Sequence, residues 1–254
     1  MTFSALSRYG FSPDCAVAAF TGDNPSSLAG LAMKPGDIGK IKQLSMTSLR
    51  KFHLPGLSLG TSDTVFVWLD SPKPQLTGHV WPSPVSPAAF MALLCYKNGS
   101  LTRERVRDAA ANGDWAIFSE LIESTPRGNF GNIGETGRGK YNTSIFIIDL
   151  GFYFDHPEIV PHGIQGDFRF SRNDEPASRF ASSETEVRAL VEGQMVAKRL
   201  HAERLGFSLS EDTRILVTGG ASVNKAIQQI IADVFNASVY TMVSQVRTLE
   251  FIYV

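Results

Sequence analysis

The stretch from Arg214 to Thr241 constrains the fold more than any other part of the chain. Arg214-Ile-Leu-Val217 is a short apolar run and reads as a strand. Thr218-Gly219-Gly220 makes a tight turn. Asn224 to Phe235 then places Ile227, Ile230, Ile231 and Val234 on one face of a helix. Ala237-Ser-Val-Tyr-Thr241 reads as another strand. A strand–turn–helix–strand unit of this kind predicts an α/β domain, and the upstream pattern agrees.

That upstream pattern begins with Cys15 to Phe20, a bounded apolar run that reads as a buried strand. Asn24-Pro25 suits a helix start, with Asn at the cap and Pro at the first helical position. Ser58 to Thr64 is a glycine-containing turn that leads into the strand Val65 to Leu69. Ser71 to Pro87 is Pro-rich and reads as loop or sheet edge. Leu101 to Glu123 predicts two short helices split at Asn112-Gly113. Ser144 to Asp149 and Gly151 to Phe154 are strand-like, and Asp167 to Ser182 reads as polar and irregular. A long helix is expected from about Glu184 to Leu205, with Val187, Leu190, Val191 and Met195 facing the core and Gly206 closing it. The whole suggests a mixed sheet with helices.

Composition removes several function classes. A net charge of -1 over 254 residues argues against a nucleic-acid partner, which needs a basic face. Two cysteines, Cys15 and Cys95, make no disulfide framework. The sequence has no apolar stretch of transmembrane length and no signal-like start, so a cytoplasmic protein without a membrane partner is expected.

Five local patterns carry chemistry, and each has a plain structural alternative. Gly134-Glu-Thr-Gly-Arg-Gly-Lys-Tyr141 follows a phosphate-binding loop as far as the lysine. Tyr141 then stands where a hydroxyl must reach magnesium, so it reads as an ordinary loop. Asp155, His156, Glu158 and His162 lack metal-ligand spacing and read as a solvated turn. Asp23, after a predicted strand, could accept a proton from a substrate hydroxyl, or it could cap the next helix. Leu59-Gly60-Thr61-Ser62 could bring backbone N–H groups close to phosphate oxygens, or it could be a simple hairpin turn. Thr218 to Asn224 could hold a base or a phosphate at a helix N-terminus, although many ligand-free α/β turns look the same.

Taken together, the order and spacing of these blocks resemble the C-terminal domain of the FGGY carbohydrate kinases. The resemblance rests on Phe20-Thr-Gly-Asp-Asn-Pro25, Ser58-Leu-Gly-Thr-Ser-Asp-Thr64, Met91 to Leu101, Glu186 to Gln194 and Val217-Thr-Gly-Gly-Ala-Ser222. It implies an actin-like, ribonuclease-H-like fold over residues 8–242. It also implies phosphoryl transfer from ATP, with Mg2+, to a sugar, and the nearest resemblance is to members that act on D-xylulose. By the same resemblance Asp23 matches the catalytic base and Asn24 a sugar contact. Gly60 and Thr61 match the turn facing the phosphates, Trp115 an adenine-side position, Gly220 and Ala221 the turn under the adenosine, and Asn224 a further nucleotide contact. No residue is assigned as a protein metal ligand.

The sequence departs from the family pattern near residues 40–55 and 135–150, and after Met242, where residues 243–254 form an unmatched tail. The family's N-terminal domain, which supplies a second phosphate loop and further sugar contacts, is expected to be absent. The resemblance therefore predicts an incomplete sugar kinase. The alternative is a non-catalytic module that binds nucleotide or pairs with a full-length kinase subunit.

Overall fold

A computed structural model describes residues 8, 10, 12, 56–69, 71–73, 75–82, 89–129, 150–171, 175–209, 213–242 and 249–252. Asp23, Asn24, the segment 40–55, the Gly134–Tyr141 loop and the strands expected at Cys15–Phe20 and Ser144–Asp149 lie outside these residues.

The main sheet is built on β2 (Asp63–Leu69), whose run Asp-Thr-Val-Phe-Val-Trp-Leu is buried along almost its full length. A strand that is apolar on both faces needs neighbours on both edges and cover on both faces. It has β1 (Gly56–Leu59) on one edge and β4 (Phe90–Tyr96) on the other, both antiparallel to it. β3 (His79–Pro82) pairs with β4 and is the last strand on that side among the described residues, so the Pro-rich stretch includes a strand at the sheet's described edge. Beyond β1 the direction changes. β8 (Arg214–Thr218) runs parallel to β1, and β9 (Ser238–Met242) runs parallel to β8. β10 (Leu249–Ile252) closes this side antiparallel to β9, within the tail that follows Met242. The sheet order is β10-β9-β8-β1-β2-β4-β3, the mixed α/β sheet that was expected.

Helices cover the sheet. α1 (Ser100–Ala110) and α2 (Trp115–Glu123) are separated at Asn112-Gly113, both with positive φ, which explains the predicted split. α3 (Ser183–Arg204) starts at Ser182, whose hydroxyl accepts from the Thr185 amide. It ends before Gly206, which has φ +109°. α4 (Lys225–Phe235) buries Ile227, Ile230, Ile231 and Phe235. Between β8 and α4, Gly220–Val223 forms one short 3-10 turn.

The stretch expected to be irregular holds two strands instead. β5 (Leu150–Phe154), β6 (Gly166–Phe170) and the short β7 (Pro176–Ala177) make a small antiparallel sheet. It lies against α3 at a close crossing. A Cβ on Gly193 would collide with the Gly151 carbonyl oxygen, so only glycine lets helix and strand approach this far.

Candidate functional site: a cavity at the ends of β1 and β8

Parallel pairing brings two distant turns to one edge of the sheet. β1 and β8 run side by side with Ser58 opposite Thr218, so the residues that follow each strand emerge together. Gly60-Thr61-Ser62 follows β1 and Gly219 to Val223 follows β8. Open α/β sheets hold ligands at the carboxyl ends of their strands, and a cavity of about 800 Å3 lies here. That volume suits a small molecule or cofactor, for which sites run to roughly 300–1,000 Å3.

The six predicted nucleotide-side residues, Gly60, Thr61, Trp115, Gly220, Ala221 and Asn224, all line this one cavity. They come from three separated parts of the chain. Gly60 and Thr61 lie in the β1–β2 hairpin turn, which is the plain structural reading of that segment, and both residues line the cavity. Trp115 opens α2, where Asp114 caps the helix by accepting from the Ala116 amide at 2.6 Å. The Trp115 indole packs edge-on against Phe118 and carries the Arg107 guanidinium over its ring at 4.6 Å. Asn224 caps α4 through Oδ1, which accepts from the Ile227 amide at 3.1 Å, while its Nδ2 donates to Ser119 Oγ at 2.8 Å. One side chain thus ties the N-terminus of α4 to α2 across the cavity floor.

Gly219 has φ +87° and ψ 177°, and a Cβ there would sit 2.5 Å from the Leu59 carbonyl oxygen. The β8 turn therefore rests directly on the end of β1, with no side chain between them. Gly220 differs, since a Cβ there would meet no heavy atom within 4 Å.

Sequence reasoning missed Ser119 and Arg103. Ser119 stands four residues after Trp115, on the same helical face, and that spacing was the available signal. Arg103 is fully buried and also lines the cavity, from α1. Its guanidinium grips Asp63, the residue just past the turn, with NH2 donating to Oδ1 at 2.9 Å and NH1 to Oδ2 at 2.8 Å. Lys198 of α3 reaches the same carboxylate at 3.0 Å. Burial alone would raise the Asp63 pKa, but the Lys198 and Arg103 charges outweigh it and hold the carboxyl below its ordinary value. Burial lowers the Lys198 ammonium in turn, against the pull of Asp63.

The acid/histidine cluster read as a solvated turn needs correcting. Glu158 is buried, 2 % exposed, and accepts from the Lys97 amide at 2.6 Å and from both nitrogens of Asn98. Asp155 pairs with Arg105 and accepts from the Thr102 hydroxyl. These partners lie fifty or more residues away, beyond the reach of spacing arguments. His156 and His162 are exposed. Among the described residues no group of three or more His, Cys, Asp or Glu is placed to hold a metal ion, and no helix is long and apolar enough to cross a membrane.

Comparison with known proteins gives the family. The model for the C-terminal domain of the FGGY family of carbohydrate kinases matches residues 56–248. The xylulose kinase of Mus musculus is 47 % identical over 237 residues, which cover 93 % of this chain and 36 % of that one. Xylulose kinase 2 of Arabidopsis thaliana is 38 % identical over 248 residues, 93 % of this chain and 38 % of that one. The chain thus spans little more than a third of the length of these relatives. Among solved structures, the xylulose kinase from Rhodospirillum rubrum superposes with TM-score 0.61 at 15 % identity, over 94 % of this chain and 42 % of that chain. The xylulose kinase from Bifidobacterium adolescentis gives 0.57 at 21 % identity, over 77 % of this chain and 35 % of that chain. The expected actin-like α/β fold is the one these structures share. The chain belongs to the FGGY family of carbohydrate kinases and corresponds to the C-terminal domain of that family.

Proposed function

We propose that the cavity at the ends of β1 and β8 binds ATP, and that the kinase to which this chain corresponds transfers the terminal phosphoryl group to D-xylulose. The observation that carries this reading is the convergence of Gly60, Thr61, Trp115, Gly220, Ala221 and Asn224 on one cavity. The two glycine turns suit phosphates, because little side-chain bulk stands between ligand and backbone N–H groups. The Trp115 ring offers a flat apolar surface to a base. Phosphoryl transfer asks mainly for positioning and for stabilisation of charge, which a rigid turn beside a helix N-terminus can supply. The choice of D-xylulose follows the names of the relatives.

Magnesium would accompany the nucleotide. Among the described residues the acidic groups that line the cavity are Glu104 and Glu123, so the ion would be carried largely by the phosphates. When bound it would neutralise charge on the transferring group. Asp23 as base and Asn24 as sugar contact remain part of the proposal through resemblance, as does a cytoplasmic location.

The described residues furnish the nucleotide side of the site, so we propose that residues 1–254 taken alone bind nucleotide and turn over little or no sugar. Titration calorimetry with ADP and a coupled assay of xylulose phosphorylation test both parts. ADP binding without turnover is the expected result. Turnover near that of a full-length relative overturns the second part, and failure to bind ADP overturns the first. Binding without turnover would also suit a role in pairing with a full-length subunit.

A further inference from the structure

The Gly60–Ser62 turn is clamped from beneath more firmly than a hairpin turn requires. Asp63 follows the turn directly and pairs across it with Leu59. Its carboxylate, 0 % exposed, is held by Arg103 of α1 in a two-point grip and by Lys198 of α3 at a third point. Gln194, one helical turn before Lys198, accepts from Arg103 NH1 at 2.9 Å and donates to the Asn98 carbonyl at 3.1 Å. Next to Asn98, Gly99 lies so close beneath the turn that a Cβ would come within 2.7 Å of the Thr61 carbonyl and 2.8 Å of Asp63 Oδ1. Ser100 then donates its amide to the Gly60 carbonyl at 2.9 Å. The turn is thus fixed by two helices through a buried ionic network and a direct backbone bond, while Thr61 itself is exposed to the cavity.

A hairpin does not need such an arrangement to form. Burying an acid with two cations is a costly way to gain stability, and apolar replacements of such groups are often neutral or better. Holding backbone groups within a fraction of an ångström of where ligand oxygens will sit is a use that an apolar core would serve less well, because charge-assisted bonds are directional.

We infer that Asp63, gripped by Arg103 and Lys198, is a positioning residue that presets the Gly60–Ser62 turn for the phosphates of a nucleotide. The inference rests on the nucleotide reading of the cavity and deepens it. Asp63 acts through the turn and not on the base side of the cavity. Its loss should therefore weaken only the part of the affinity that comes from phosphates.

The test compares adenosine with ADP by calorimetry, using the parent chain, Asp63→Asn and Lys198→Met. The parent should bind ADP more tightly than adenosine. In Asp63→Asn that ratio should fall by about tenfold, the size of one lost charge-assisted bond, with adenosine affinity unchanged. In Lys198→Met, where Arg103 keeps its grip, the ratio should fall by roughly threefold, as for a weaker bond. A merely structural role would lower both affinities together, or neither. If Asp63→Asn does not fold, Lys198→Met decides. A parent that binds neither ligand overturns the nucleotide reading and this inference with it. A parent that favours ADP, with the ratio unchanged in the folded variants, overturns this inference alone.

Discussion

Replacing Gly219 with alanine tests the architecture of the cavity at its most constrained point. Gly219 sits at φ +87° and ψ 177°, a conformation that side chains resist by about 1–3 kcal/mol. The added methyl would also lie 2.5 Å from the Leu59 carbonyl oxygen and 2.7 Å from its carbon, where ordinary contact begins at 3.4 Å. The obstacle is backbone inside a paired strand, so it cannot swing aside as a flexible side chain would. Relief requires β1 and β8 to separate, which loosens the pairing of Leu57 with Val217 and Ser58 with Thr218. Adding that to the backbone strain gives a cost of about 3 kcal/mol or more, against a total of roughly 5–15 kcal/mol for a folded domain. With a urea slope of about 2–3 kcal/mol/M, the midpoint should fall by about 1 M. Gly220→Ala is the matched control, since its methyl meets nothing within 4 Å and its φ is not positive. It should unfold like the parent yet bind ADP more weakly, because Gly220 lines the cavity. Equal urea midpoints for Gly219→Ala and the parent would refute the claim that the β8 turn rests on the β1 backbone.

Two further outcomes follow from the same structure. Trp115→Ala should cost roughly 1–3 kcal/mol in ADP affinity if the ring stacks on the base, and ADP should change the fluorescence of the parent; an unaltered dissociation constant would remove Trp115 from the site. His201, half-buried, bonds to the Tyr96 hydroxyl through Nδ1 at 3.2 Å, and burial, then Arg204 and Lys198, hold its pKa below 6.5. The unfolded chain then binds more protons as pH falls below 6.5, so stability should drop on acidification through that value and His201→Gln should flatten the slope in thermal melts; an unchanged slope would show that another group governs it.

The sequence was legible where one face of an element is apolar and its ends are marked. α3 begins within one residue of its predicted start, because Ser182 caps it and Gly206 ends it. β8 and α4 are recovered for the same reason, with Asn224 at the junction as expected. β6 was not legible. No residue of Gly-Asp-Phe-Arg-Phe is fully buried, and its aromatic residues meet those of the small sheet, so no buried face sets its period. The buried ions were hidden for a different reason. Charged residues read as solvated unless their partners are known, and Asp63 meets Arg103 across forty residues of sequence. The two glycine turns on the nucleotide side were marked by local chemistry with a structural alternative beside each, and Trp115 came from resemblance alone. Their convergence became physical only through the parallel pairing of β1 with β8, which sequence periodicity does not reveal.

The register of β1 against β8 has a consequence for how such a cavity can fail. Strand side chains alternate faces, so a slip of one residue would turn Leu57 and Leu59 outward and shift one turn past the other by about 3.3 Å. Both turns would survive intact as local structures, with every glycine present, and the cavity between them would still be lost. A deletion within Gly56–Leu59 should therefore be more damaging than most exchanges in the turns themselves. The cavity is in this sense a property of alignment between two strands, and its weakest point is the pairing of their backbones.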